Sequence, residues 1–429
     1  MGLTISLQQL KKTNFDSIQS LNDYLDQISM QVRVALDSCQ WEKAEQLLNK
    51  ILTILPEHLV ALSDLAYVKR KSNQLEEAYA ISLSVLAIDP NYVKILDSLT
   101  TTCYQMKRFE EALHYAKRSI RLKEQEAQQS TYLYSLPTAV PTGLSKEKAR
   151  NIISYSLFGD SPRYCECAVL NTQLAKQIYP EWTCRFYVDD TVPSMVIQRL
   201  TALDAQVFFV DNDKSKNNGL FWRFLVMSDP NVDCFIIRDA DSLLSYKEKA
   251  AVDDWLQSGK WFHIMRDGIE HSELILAGMW GGYTGVFPHI QEMIQNRLES
   301  LQIRGRTVDQ VFLREMIYPT VAQSVLIHDS RNLDGKSKAF PEFPLSDIEK
   351  IPYFHIGMID IGALHTSIYI KDKQAKRIRW YLKNEQDETI CTYDLDVRSS
   401  ERVTIPLPYF YSLKIKEEKW HIHTETLEQ

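Results

Sequence analysis

Apolar residues in the first quarter of the chain return every three or four positions, the stripe of an amphipathic helix. Phrases such as Trp41-Glu-Lys-Ala-Glu-Gln-Leu-Leu-Asn-Lys-Ile-Leu and Phe109-Glu-Glu-Ala-Leu-His-Tyr-Ala carry it, and polar positions fill the opposite face. From about residue 150 the pattern changes. Short apolar runs alternate with helical stretches: Ile152–Phe158, Cys184–Val188, Gln206–Val210, Cys234–Ile237 and Trp261–Ile264 read as strands, and Cys165–Tyr179, Val192–Leu203 and Lys247–Gln257 as helices. That alternation predicts an α/β sheet with its ligand at the C-terminal ends of the strands. Residues 126–148 lose the helical period, collect Pro, Gly, Ser and Thr, and read as a linker or a connection hugging the surface.

The helical part also repeats. Trp41, Leu75 and Phe109 stand 34 residues apart, as do Ala44, Ala78 and Ala112, and Pro56 and Pro90. A small residue at the alanine register lets two helices approach, and the large residue three positions earlier fills the groove between them. Proline beyond the second helix stops it. This resembles the tetratricopeptide repeat, with about three units over residues 24–125. Asn73 and Lys107 stand where that family usually has glycine, and Glu124 where a proline would fall. The resemblance implies a surface that docks a protein, either an acceptor or a partner that delivers one; a purely structural or dimerising role is the alternative.

Composition narrows the function classes. The 429 residues are 45% hydrophobic and 24% charged, which is ordinary for globular domains, and the net charge of −7 carries no basic tail. Nucleic-acid binding by phosphate neutralisation is therefore not expected. Seven cysteines without a CxxC pair or a repeated metal-ligand spacing fit a reducing, cytoplasmic setting better than a disulfide or zinc framework. No stretch approaches the ~18 apolar residues of a membrane span.

The strand Cys234-Phe-Ile-Ile237 runs straight into Arg238-Asp239-Ala240-Asp241-Ser242. Carboxylates one residue apart share a side of extended backbone, and at a strand end they can hold a divalent cation with a diphosphate. With Ser154-Tyr-Ser-Leu-Phe-Gly159, Tyr187-Val-Asp-Asp190, Gly219-Leu-Phe-Trp-Arg-Phe224, Phe262-His-Ile-Met-Arg-Asp267, Ala277-Gly-Met-Trp-Gly-Gly282 and Val308-Asp-Gln-Val-Phe-Leu313 in this order, residues 149–340 resemble the nucleotide-sugar-dependent glycosyltransferases of the GT-A fold.

The resemblance implies roles by position. Ser156, Phe158 and Gly159 would contact the nucleotide, Asp189 or Asp190 the base or ribose, and Arg223 the donor sugar or pyrophosphate. Asp239 and Asp241 would hold Mn²⁺ or Mg²⁺, completed by a late histidine, for which His328 is preferred over its rival His355. Arg238 would face phosphate or form an ion pair. His263, Arg266, His271, Gly278, Trp280 and Gly281 would meet substrate, with Trp280 either stacking on a sugar face from flexible glycine backbone or buried in a glycine-rich turn. Asp267 would read sugar hydroxyls, and Asp309 would act as base in an inverting enzyme or orient the donor in a retaining one.

Residues 341–429 read as a small β-rich accessory region, with strands at Ser367–Ile370, Glu388–Tyr393 and Arg402–Ile405 and a further one within Tyr409–Ile415. The chain is thus expected to be a metal-dependent glycosyltransferase that moves a sugar from a nucleoside-diphosphate donor to a protein or glycan acceptor. Its rivals are an inactive binding scaffold and a nucleotidyltransferase. A well-known sugar transferase joins such repeats to a two-Rossmann architecture without Asp-x-Asp, and Asp239 and Asp241 argue against that kinship.

Overall fold

The computed structural model describes residues 15, 17–141, 143–210, 218–300, 307–351, 353–358, 364–370, 375–397 and 402–427. It divides into two compact units, one of Met1–Glu126 with Ile269–Glu273 and Leu333–Gly335, the other of Ala127–Gly268, Leu274–Asn332 and Lys336–Gln429.

The first unit is built of helical hairpins: α1 (Ile18–Asp37) with α2 (Trp41–Ile54), α3 (Leu59–Lys71) with α4 (Leu75–Ile88), and α5 (Val93–Gln105) with α6 (Phe109–Ala127). Ala44, Ala78 and Ala112 are fully buried, as close helix approach requires. The period extends to the turns. Cys39, Asn73 and Lys107 take positive φ of 53°, 61° and 61°. One residue later, the amides of Gln40, Gln74 and Arg108 donate to the carbonyls of Ala35, Lys69 and Cys103, each at 2.8 Å. Each first helix therefore closes with a left-handed residue and a long-range amide bond, the Schellman ending. This explains why glycine is favoured at that register.

The second unit centres on a seven-stranded mixed sheet. Its strands are β1 (Asn151–Leu157), β2 (Thr183–Val188), β3 (Gln206–Phe209), β4 (Cys234–Arg238), β5 (Phe262–Arg266), β6 (Met279–Tyr283) and β7 (Val325–Asp329). They are ordered β3-β2-β1-β4-β6-β5-β7. β1 is parallel to β2 and β4, and β6 runs antiparallel between β4 and β5. β1, β2 and β4 are buried almost throughout, which is why they read as continuous apolar runs. Helices α7 (Pro162–Ile178), α8 (Ser194–Ala202) and α9 (Tyr246–Gln257) fill the crossovers.

Several expectations are corrected here. Gly278–Gly282 is not a flexible turn, because Met279–Tyr283 is an interior strand. Cβ atoms built at Gly281 and Gly282 would lie 2.6 Å from the Phe235 carbonyl and 2.5 Å from the Phe262 ring, so the glycines allow close packing of neighbours. Tyr409–Lys416 forms a helix, α12, rather than a strand; α10 (Ile290–Ser300), α11 (Val308–Phe312) and the 3₁₀ helix Asn218–Ser228 that holds Arg223 precede it. The connection after α6 hugs the second unit: Tyr134 donates its amide to Thr320 Oγ1 at 3.0 Å, and Gln323 Nε2 donates to the Tyr134 carbonyl at 2.8 Å.

The C-terminal region adds β8 (Leu364–Tyr369), β9 (Arg377–Lys383), β10 (Thr389–Asp396), β11 (Arg402–Leu407) and β12 (His421–Thr426), arranged β10-β9-β12 and β11-β8. It belongs to the same unit as the large sheet. Tyr393 on β10 donates to the fully buried Glu166 of α7 at 2.6 Å, and Arg199 of α8 pairs with the same carboxylate at 2.7 Å.

Candidate active site

In the order β3-β2-β1-β4, successive connections leave β1 and β4 toward opposite sides, which opens a crevice at the C-terminal ends of these two strands. The Asp-x-Asp pair stands there. After Arg238 the backbone turns, with the Ser242 amide donating to the Asp239 carbonyl at 3.2 Å. The turn splays the two carboxylates toward different partners.

Asp239 pairs with Arg223, whose other terminal nitrogen donates to Asp309 Oδ2 at 2.9 Å. The position of this arginine is set by β1. Ser154 Oγ donates to the Arg223 carbonyl at 2.7 Å, and the Arg223 amide donates to Ser156 Oγ at 2.9 Å. Residues two apart on a strand share a face, so both hydroxyls reach one main-chain unit. Asp241 turns toward α7, where Arg163 Nε and a terminal guanidinium nitrogen lie 2.9 and 2.7 Å from its Oδ2.

The side chain of Asp239 is 45% exposed and that of Asp241 7%. Burial, then the charge of Asp239, pushes the Asp241 carboxyl above its ordinary value. Burial also pushes Asp309 up, against the pull of Arg223. Three carboxylates thus face two guanidiniums. A Cβ at Gly278 would collide with Asp239 Oδ2 and come within 2.9 Å of its amide nitrogen, so the glycine makes room for this carboxylate.

Around this centre lie other residues singled out by sequence. Asp189, at the end of β2, accepts hydrogen bonds from the Thr191 amide and hydroxyl, and Thr191 Oγ1 accepts from the Gly159 amide at 2.6 Å. That ties the end of β2 to the end of β1. Asp190 is exposed. Phe158 is 40% exposed and packs edge-on against Trp222. Asp267 is buried, with Lys247 Nζ 2.7 Å from both its oxygens and the Ile356 amide donating at 2.8 Å. The Lys247 and Ile356 contacts make Asp267 an anchor for the strand-end segment 353–358. Gly357, at φ +80°, sits against the Met279 sulfur, and Met279 pairs in register with Arg238. His355 thus lies on a segment crossing the same strand ends as Asp239.

The structure does not bring every expected residue to the crevice. His328 is on β7, three strands from β4 and so ~14 Å across the sheet. Its nitrogens engage His263 Nε2 at 2.8 Å and Asp254 Oδ2 at 3.0 Å, so it does not complete a metal site with Asp239 and Asp241. His263 is fully buried and stacks on Trp255, and Arg266 is fully buried with a bond to the Leu274 carbonyl at 3.0 Å. Trp280 is fully buried against Phe235 and cannot stack on a sugar. Arg238 turns inward to Glu248 at 3.3 Å and takes its ion-pair role, not a phosphate one. His271 belongs to the first unit. Among the described residues, no group of three or more His, Cys, Asp or Glu side chains converges in metal-binding geometry.

Sequence reasoning missed Arg163, Ser154, Thr191 and Lys247. Ser154 had a usable signal, since it shares the strand face of Ser156. Arg163 had none, because its partner is 78 residues away.

No family model and no curated protein matches the sequence. Solved structures match in parts. The TPR domain of Sgt2 from Aspergillus fumigatus is 23% identical, covering 24% of this chain and 67% of that one at a TM-score of 0.23. The TPR2B-domain:pHsp70 complex of yeast Sti1 is 18% identical over 24% of this chain and 81% of that one, at 0.23. A mutant of the Thermobaculum terrenum O-GlcNAc transferase is 15% identical over 52% of this chain and 47% of that one, at 0.30. Scores this low carry no argument about activity, which rests on the residues of the crevice.

Proposed function

We propose that this chain is a glycosyltransferase of the GT-A type that uses a nucleoside-diphosphate sugar and a divalent cation. The observation that carries the reading is the placement of Asp239 and Asp241 at the crevice between β1 and β4, with Arg223 and Asp309 directly behind them. The residues suit a hard cation: two carboxylate oxygens are the donors Mg²⁺ or Mn²⁺ prefers, and such ions commonly take one or two carboxylates, the rest being water and substrate phosphate. Burial and mutual repulsion already work against the ionised form of Asp241, which a cation would relieve. When bound, the cation would offset charge developing on the departing diphosphate. His355 replaces His328 as the imidazole we assign to this end of the strands.

The chain's own groups then divide the work. Phe158 offers an exposed ring edge to a base at the end of β1, beside the Asp189–Thr191–Gly159 link. Arg223, held on its main chain by two serines, presents a fixed guanidinium to the donor. Asp309 has Oδ2 taken by Arg223 and Oδ1 by the Gln310 amide, which favours orienting the donor over proton abstraction. The repeats of the first unit are assigned to docking a protein acceptor or partner.

One observation favours the inactive-scaffold reading: each aspartate of the pair already has an arginine partner. Thermal unfolding with UDP-, GDP- and CDP-sugars, with and without MnCl2, separates the two. A ligand at about 100 times its Kd adds about 2.7 kcal/mol to the folded state, so a Mn²⁺-dependent rise in Tm with one base is expected. Loss of that rise in Asp239→Ala supports the transferase reading, and no rise with any donor overturns it.

A further inference from the structure

We propose that Arg163 is a diphosphate-binding residue that trades its carboxylate partner, Asp241, for phosphate oxygens when donor and cation enter together. The inference rests on the transferase reading above and names a residue which that reading does not use.

The argument is one of charge and freedom to move. Asp239, Asp241 and Asp309 face Arg223 and Arg163, a surplus of one negative charge. A divalent cation and a donor diphosphate bearing two negative charges leave that sum unchanged. Every charge keeps a partner, however, only if a carboxylate turning to the cation releases its guanidinium to an arriving anion, since a buried charge left without a partner is costly.

The two arginines differ in their capacity to make this exchange. Arg223 is nearly buried, bonded to Asp309 through its other terminal nitrogen, and fixed on its main chain by Ser154 and Ser156. Losing Asp239 would still leave it anchored. Arg163 has a side chain 30% exposed, held by Asp241 Oδ2 and by its position over the exposed Tyr164 ring. It stands in the first turn of α7, a helix separated from the end of β1 by four residues, so it flanks the crevice from the β1 side while Asp241 flanks it from the β4 side. A planar guanidinium with several donors matches phosphate oxygens as well as it matches carboxylate.

Calorimetric titration of the full chain with UDP, GDP, CDP and ADP, each with MnCl2, identifies the binding base; the corresponding nucleoside is then titrated. Arg163→Ala is expected to weaken the diphosphate by about 10- to 100-fold, the worth of charge-assisted bonds, with nucleoside affinity unchanged and Arg163→Lys intermediate. Equal diphosphate affinity in Arg163→Ala and wild type overturns the inference and leaves the transferase reading standing. Equal losses for nucleoside and diphosphate assign Arg163 a structural role and also overturn it. Failure of wild type to bind any diphosphate overturns both.

Discussion

Arg223 and Asp309, 86 residues apart in sequence, meet at 2.9 Å inside the sheet's crevice, with side chains 6% and 5% exposed. The pair sits where Asp239 also converges, so its integrity governs both stability and the site. Breaking a buried ion pair by removing one partner leaves the other charge stranded, at a cost of about 3–5 kcal/mol. Arg223→Ala should therefore lower stability strongly and abolish transfer. Arg223→Met combined with Asp309→Leu should regain most of the stability and none of the activity. Chemical denaturation of the single and double variants, read beside transfer assays, checks this. A double variant as unstable as Arg223→Ala would show that the charges hold the fold in another way.

Gly278 makes a sharper test of Asp239. A methyl group there meets the carboxylate and the backbone nitrogen of Asp239 together, and the backbone cannot swing aside as a side-chain end can. Gly278→Ala should cost about 1–3 kcal/mol from overpacking. It should also weaken Mn²⁺-dependent nucleotide binding as much as Asp239→Ala does. Titration calorimetry on both variants gives the comparison, and unchanged affinity in Gly278→Ala would mean that Asp239 does not need its present position.

In the repeat unit, Lys107 carries the left-handed turn with a side chain that has no local polar group to favour it. Asn73 tolerates the same conformation better. Lys107→Gly should raise stability by up to ~1 kcal/mol, and Asn73→Gly by less. Equilibrium unfolding of the two variants tests this, and a loss of stability in both would show that the chain entropy of glycine outweighs the left-handed strain.

The sequence made local features legible and long-range ones less so. The 34-residue period and the strand–helix alternation are written in short windows and appear where their spacing places them, whereas the Asp-x-Asp carboxylates, expected on one side of extended backbone, are splayed by the turn after Arg238. His328 misled because an apolar strand ending in histidine looks the same at any position in a sheet. Only the order β4-β6-β5-β7 shows that it stands at the far edge. Trp280 misled for a related reason: glycines around an aromatic suggest a turn, whereas here they let Phe235 and Phe262 pack against an interior strand. Tyr409–Ile415, rich in residues that favour strands, became helix α12 and buried Tyr411. Arg163 and Lys247 acquire meaning only from partners that folding brings to them.

His328, set apart from the Asp-x-Asp crevice, has a consequence of its own. His328 Nε2 faces Asp254, which Lys338 Nζ also holds at 2.7 Å, and His328 Nδ1 faces His263 Nε2. Each of these bonds needs one hydrogen, and neutral rings with hydrogens on the two Nε2 atoms supply both. Burial lowers both pKa values from 6.5, that of His263 far more; Asp254 resists the shift for His328, and the charges of Arg238 and His328 add to it for His263. A base whose pKa is lowered by folding binds fewer protons in the folded than in the unfolded chain. Stability contributed here is therefore complete above pH 6.5 and lost as pH falls toward the folded values. Each proton taken up only by the unfolded chain contributes about 1.4 kcal/mol per pH unit. The wild-type Tm should drop between pH 6.5 and 5 more steeply than that of His263→Phe, which keeps a ring on Trp255 but removes one titrating group. Parallel curves for the two proteins would place the acid sensitivity elsewhere in the chain.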